Sequence, residues 1–124
     1  NILILTIILI FQIFPSLGEW EKVSENLSGD IFYIDYDRMR KIDGYFYYWT
    51  LIDYKEKDQF GVSSEKNYRK VDCKNFRIMF LDGIFYSEPM GNGEISRGKL
   101  TGNWLYVSPN SVHEITLKLV CKSY

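Results

Sequence analysis

Apolar and polar positions trace a succession of short strands along this chain, densest at residues 45–54, Tyr-Phe-Tyr-Tyr-Trp-Thr-Leu-Ile-Asp-Tyr. Aromatic and β-branched side chains of this kind fit a pleated, packed surface. Asp43-Gly44, immediately upstream, is the dipeptide of a two-residue type I′ hairpin. Strand alternation sets Tyr45, Tyr47, Trp49 and Leu51 on one face and Phe46, Tyr48, Thr50 and Ile52 on the other. Both sets are largely apolar, which predicts a central strand covered at least in part on both sides. Residues 19–27 alternate as a first strand with Trp20 as its core anchor, Ser28-Gly29 predicts a tight turn, and residues 30–36 a second strand. Residues 37–42 are more polar and fit either one helical turn or an extension of strand into the hairpin.

Beyond the aromatic strand, residues 55–64 read as a loop. Residues 66–81 read as one long or two short strands, with a bulge or break near 72–75, because Phe76, Ile78 and Phe80 share a face that Cys73 does not. Asp82-Gly83 repeats the hairpin dipeptide and predicts a return through residues 84–87. Pro89 and four glycines make residues 88–102 a long surface loop with room for a short edge strand. Residues 103–108 form the last strand. Near the C-terminus, Ile115, Leu117, Leu119 and Cys121 alternate as in a strand, whereas Val112, Ile115, Thr116, Leu119 and Val120 repeat as in a helix. Turn chemistry decides for the helix: Pro109 stops the preceding strand, and Ser111 with Glu114 three residues on is a capping box. The expected fold is α+β, an antiparallel sheet of about six strands with a C-terminal helix across one face.

Composition adds a compartment. The run from Ile2 to Phe14 is broken only by Thr6 and Gln12 and leads to Ser16-Leu17-Gly18, small residues at a cleavage site before Glu19. Residues 1–18 are therefore expected to be a signal peptide, too short in its apolar part for the roughly 20 residues of a spanning helix. Asn1 in place of Met and the lack of a basic first segment imply further residues upstream. Residues 19–124 make a single domain with no membrane span after cleavage. Cysteines in an exported chain usually pair, so Cys73 and Cys121 are expected to form a disulfide tying the helix to the sheet. The net charge of −1 gives no global attraction to nucleic acid or membrane.

Little in the sequence spells out a reaction, and no catalytic residue, metal ligand or obligatory cofactor is expected. His113 falls in the first helical turn, where the protonated ring is disfavoured, and no nucleophile stands near it. Asp35, Asp37, Asp53 and Asp58 lack a motif spacing and read as strand ends and turns. Gly91-Asn92-Gly93 has no strand and helix around it, and Gly98-Lys99-Leu100 lacks the hydroxyl that ends a P-loop. Two features retain functional interest. Lys66, Arg69, Lys70, Lys74 and Arg77 concentrate five cations in twelve residues, a candidate patch for sulfated glycans, anionic headgroups or acidic proteins. Edge protection by lysine explains the same run. The ten tyrosines suit interfaces, although most fall where strands need packing.

Several segments, taken in order, carry a resemblance. They are Trp20; Gly29-Asp30-Ile31-Phe32-Tyr33-Ile34-Asp35; Trp49-Thr50-Leu51-Ile52-Asp53-Tyr54; and Ser64-Glu65-Lys66 leading to Asp72-Cys73. Met90-Gly91-Asn92-Gly93 follows, then Trp104-Leu105-Tyr106-Val107-Ser108-Pro109-Asn110-Ser111, and finally Val120-Cys121. The chain resembles the surface-adhesin protein E family of small exported bacterial proteins over nearly all of residues 19–124. The resemblance implies an antiparallel sheet with a disulfide-linked C-terminal helix. It also implies a binding protein of the cell envelope that attaches to host extracellular-matrix proteins, with haem as an associated small ligand. One departure matters: Glu19 follows Gly18 where a lipoprotein would carry its lipid-bearing cysteine. The expected location is therefore periplasmic or secreted, with display at the cell surface left open.

Overall fold

The computed structural model describes residues 20–98, 100 and 102–122; the expected signal peptide lies outside them. Eight antiparallel strands form one sheet: β1 (Glu21–Glu25), β2 (Ile31–Ile34), β3 (Arg40–Ile42), β4 (Tyr45–Asp53), β5 (Ser64–Asp72), β6 (Arg77–Glu88), β7 (Asn92–Gly98) and β8 (Trp104–Tyr106). A single helix, α1 (Val112–Lys122), follows. The continuous path has six strands, β1-β2-β4-β5-β6-β7, as expected. The two short strands share edges with longer ones. β2 and β3 take successive halves of one edge of β4, and β7 and β8 do the same on β6.

The Asp43-Gly44 hairpin forms as its sequence dictates, both residues at positive φ, 52° and 82°, joining Ile42 to Tyr45. Residues 37–42 combine a turn, in which the Met39 amide donates to the Tyr36 carbonyl, with the short strand β3. The other Asp-Gly pair behaves differently. Gly83 lacks a positive φ, and β6 runs straight through it. The chain reverses earlier, between Asp72 and Arg77, where Phe76 adopts φ 55°. That turn is fixed by Asp72, whose carboxylate accepts from the Asn75 side chain (2.8 Å), the Asn75 amide (3.2 Å) and Arg77 Nε (2.9 Å). These bonds, the Asn75 side chain first, hold the carboxyl below its usual pKa.

At Asp82-Gly83 there is instead a bulge. Tyr68 pairs with Asp82 but Arg69 with Phe80, leaving Leu81 as the extra residue. A Cβ at Gly83 would lie 3.5 Å from the Leu100 side chain, an ordinary van der Waals contact, so neither space nor backbone conformation demands glycine there. The bulge also switches side-chain parity. Ile78 and Phe80 face α1, while Ile84 and Tyr86 point to the opposite side. Residues 88–102 hold more structure than a loop: a short 3₁₀ turn, Pro89–Gly91, leads into β7, seven residues long.

The core lies between one sheet face and α1. Phe46 and Tyr48 of β4, Ile34, Val71 and Ile78 of neighbouring strands, and Leu117 and Val120 of α1 form one buried cluster with Met39. Ser111 caps α1, its hydroxyl accepting from the Glu114 amide at 3.2 Å; the Glu114 carboxylate is engaged by Lys118 at 3.0 Å. The Cys73–Cys121 disulfide spans 5.8 Å between Cα atoms and pins the helix end to the β5–β6 turn. Thus α1 covers the even-numbered face of β4; the odd-numbered face, also expected to be covered in part, is closed at Leu51, which is fully buried, and leaves Tyr45, Tyr47 and Trp49 half-buried toward solvent.

Candidate functional site

The open face is built from alternate residues of adjacent strands. Register places Tyr47 beside Lys70, Trp49 beside Tyr68 and Leu51 beside Lys66. The same face continues through Ile84 and Tyr86 beyond the bulge and through Arg77 and Met79 before it. Tyr45, Tyr47, Trp49, Tyr68 and Trp104 are all half-buried, so their rings line the surface without being enclosed. They touch one another. Trp49 stacks on Tyr68 with centroids 5.0 Å apart, Tyr47 lies 6.2 Å from Tyr68, and Tyr45 lies 5.7 Å from Trp104.

Cations lie over these rings. Lys70 Nζ is 4.4 Å from the centroid of Tyr45, 5.6 Å from Tyr47 and 5.5 Å from Trp104. Lys66 Nζ sits 5.1 Å above Tyr86 and 5.7 Å above Trp20, and Arg77 lies 4.4 Å above Trp104. Each contact stabilises by roughly 0.5–1 kcal/mol at a surface. Acids on this face are committed elsewhere. Asp35 accepts from Arg38 at 2.7 Å, Asp53 from the Met90 amide at 2.8 Å, Asp72 from Arg77, and Asp82 from Arg97 at 3.0 Å. Among the described residues neither Lys66 nor Lys70 has a carboxylate within ion-pair distance. The face therefore offers rings and uncompensated ammonium groups. At one end it deepens into a cleft of about 240 Å³ bounded by Trp20, Trp49, Tyr86, Lys66, Asp35 and Arg38. Trp20 belongs to this cleft, not to the core cluster.

The five cations singled out by sequence do not form one patch. Lys66, Lys70 and Arg77 share the aromatic face, and Lys74 is exposed in the β5–β6 turn. Arg69 is 1% exposed and lies beneath α1. Period-two alternation carried that information, since residues 66, 68 and 70 share a face that 69 does not. The aromatic partners went unnoticed because they come from five separate segments.

The remaining candidates have structural employment. Asp58 accepts from the Phe60 and Val62 amides, closing a loop. Ser64 donates to the Glu88 carbonyl at 2.6 Å and accepts from the Gly91 amide at 2.8 Å. With the Asp53 to Met90 bond, this clips the 3₁₀ turn onto the sheet, so the Gly91-Asn92-Gly93 amides are not a phosphate cradle. Gly91 has φ 72°, and a Cβ there would meet Lys66 Cε at 2.7 Å, which requires glycine. His113 is held neutral at physiological pH, its pKa pushed down to about 4 by burial and then by the Arg69 charge. No group of three or more metal-ligating side chains occurs among the described residues.

A disulfide-clamped sheet with one face buried under a helix and the other an open aromatic surface defines a small binding protein of an oxidising compartment. No helix among the described residues is long and apolar enough to cross a membrane. Residues 20–122 match the model of the surface-adhesin protein E family, and the chain belongs to that family. Its fold is that of protein E from Haemophilus influenzae. Crystal form II of that protein aligns with a TM-score of 0.72 at 15% identity, covering 86% of this chain and 90% of the other. A second structure of Haemophilus influenzae protein E gives 0.70 at 15% identity, covering 86% of each chain. The protein E structure from a non-typeable strain gives 0.68 at 15%, covering 86% of this chain and 78% of that one. No curated protein matches the sequence significantly.

Proposed function

We propose that this protein is a non-enzymatic, exported, adhesin-like binding protein that engages a protein of the extracellular-matrix type on its aromatic and cationic sheet face. The observation that carries the proposal is the placement of Lys66 and Lys70, unpaired with acids and set over five rings, of which Trp20, Tyr45, Tyr47 and Trp104 are half-buried and Tyr86 is buried. Aromatic side chains bring contact area at low entropic cost, and the ammonium groups select acidic partners. Membership of an adhesin family supports the same reading.

Immobilised matrix proteins should bind the purified chain saturably. Replacing Lys66 and Lys70 together by Ala should weaken that binding by about tenfold or more, the effect of losing roughly 1.4 kcal/mol at a hot spot. Lys74→Ala, remote from the rings, should leave it unchanged. Equal affinity for the double variant and the parent would remove the face from the proposal.

A carrier of a small ligand is the second reading, favoured by the cleft between Trp20, Trp49 and Tyr86. At about 240 Å³ it lies below the roughly 300–1,000 Å³ usual for ligand pockets. Haem titrated into the protein should accordingly give no Soret shift; a saturable shift would favour the carrier.

A further inference from the structure

Depth and charge coincide on the open face at the cleft of about 240 Å³ between Trp20, Trp49 and Tyr86. Its volume is small for a pocket that encloses a free ligand and suits one large side chain projecting from a partner. Trp49 is braced by Tyr68, stacked 5.0 Å away, and Tyr86 is buried. The aromatic walls are therefore held in place.

Lys66 stands among them, its Nζ 5.7 Å from the Trp20 centroid and 5.1 Å from that of Tyr86. On its other side the lysine passes close to the 3₁₀ turn, where a Cβ at Gly91 would lie 2.7 Å from Cε and 3.2 Å from Nζ. That turn is clipped to the sheet through Ser64 and Asp53. A lysine gripped in this way has already lost freedom that binding a ligand would otherwise take from it.

The charges around the cleft leave one cation over. Arg38 is balanced by Asp35, whose enclosed carboxylate accepts from the Arg38 amide at 3.3 Å and from Nη1 at 2.7 Å. Lys66 has no carboxylate within ion-pair distance among the described residues. A complementary ligand thus brings one negative charge to Lys66. That charge cannot rest on the rings, because aromatic faces carry the negative part of the quadrupole; what touches Trp20 and Trp49 must be neutral and apolar. Asp and Glu supply the charge but have only a short methylene stem, which leaves the rings largely uncovered. Phe, Tyr and Trp cover the rings and bring no charge. A tyrosine O-sulfate combines an aromatic ring with a single negative charge, whereas a tyrosine phosphate carries nearly two at neutral pH.

We propose that the cleft is an anchor pocket for a sulfated tyrosine of the partner, its ring against Trp20 and Trp49 and its sulfate paired with Lys66. This assignment rests on the reading above that the partner is a protein, and names the side chain such a partner inserts.

The chain has three tryptophans. Trp20 and Trp49 bound the cleft, and Trp104, against Tyr45, does not. Their indole N–H signals in isotope-labelled protein therefore report occupancy with an internal control. The probes are the tripeptide Gly-Tyr-Gly with its tyrosine sulfated, phosphorylated or unmodified, and methyl sulfate, which has the charge without the ring. The sulfated peptide should shift the Trp20 and Trp49 signals saturably and leave that of Trp104 in place. It should bind about tenfold or more tightly than each of the other three probes. Lys66→Gln should erase the preference for sulfated over unmodified peptide; if that variant fails to fold, Trp20→Leu decides, and should weaken the sulfated peptide by about tenfold. Equal affinity for sulfated and unmodified peptide, tighter binding of the phosphorylated one, methyl sulfate binding as well as the sulfated peptide, or a shift confined to Trp104 would each overturn the proposal. Matrix-protein binding that the sulfated peptide does not displace would overturn the anchor and keep the face as a binding surface. A sulfated peptide seated in the cleft of a protein that binds no matrix protein would overturn the matrix partner and support the pocket.

Discussion

Arg69 and Lys70 are neighbours in the chain and end in opposite environments, one sealed beneath α1 and the other over Tyr45, Tyr47 and Trp104. Substitution should separate them sharply. Lys70→Ala removes its contacts to Tyr45, Tyr47 and Trp104 and should cost on the order of 1 kcal/mol of stability, while weakening partner binding. Arg69→Ala removes the stacking on Phe80 and leaves Tyr48 facing a void, and should cost several kcal/mol in chemical denaturation. His113 gives the residue-scale pH dependence. Its folded pKa of about 4 lies below the 6.5 of the free side chain, so between those values the unfolded chain binds the extra proton. Its contribution is present above pH 6.5 and is lost as pH falls toward 4. Because the ring is partly solvated, that loss should be on the order of 1–2 kcal/mol. His113→Gln should flatten the stability profile in that window, and an unchanged slope would assign the dependence to other groups.

Two devices set the behaviour of whole elements. The first is the disulfide, which joins residues 48 apart and fastens α1 to the β5–β6 turn. A loop of that length gives a chain-entropy stabilisation of about 4 kcal/mol, and measured values for such bridges run from about 2 to 4. Replacing both cysteines by Ser should lower Tm accordingly, and the parent should show no free thiols under denaturing conditions without reductant. The second device is the bulge at Leu81. Deleting that residue would shift half of β6 by one position and turn either Ile78 and Phe80 or Ile84 and Tyr86 to the wrong face. Deletion of Leu81 should therefore prevent folding, read by loss of a cooperative unfolding transition. Sequence reasoning found the Asp43-Gly44 hairpin and the Ser111 cap because both are local. It placed a turn at Asp82-Gly83 because the same dipeptide occurs there, whereas pairing on both edges of β6 holds that pair extended.

For the molecule as a whole, the two sheet faces have divided labour. One is sealed by α1 and carries the core; the other presents rings and ammonium groups to solvent. An adhesin must also be displayed. Protease treatment of intact cells should degrade the protein if it reaches the surface, and full protection, with release only on opening the envelope, would confine it to the periplasm and end the adhesin reading. The sequence by itself determined the strand-rich class, the capped C-terminal helix, the pairing of two cysteines and the family, because capping, alternation and cysteine count are written in short stretches or in order along the chain. Which cations share a surface was decided only by tertiary structure. Lys66 meets Trp20, and Lys70 and Arg77 meet Trp104, through strand register, one bulge and the side chosen by the helix, and each of these is a non-local pairing that no single segment encodes.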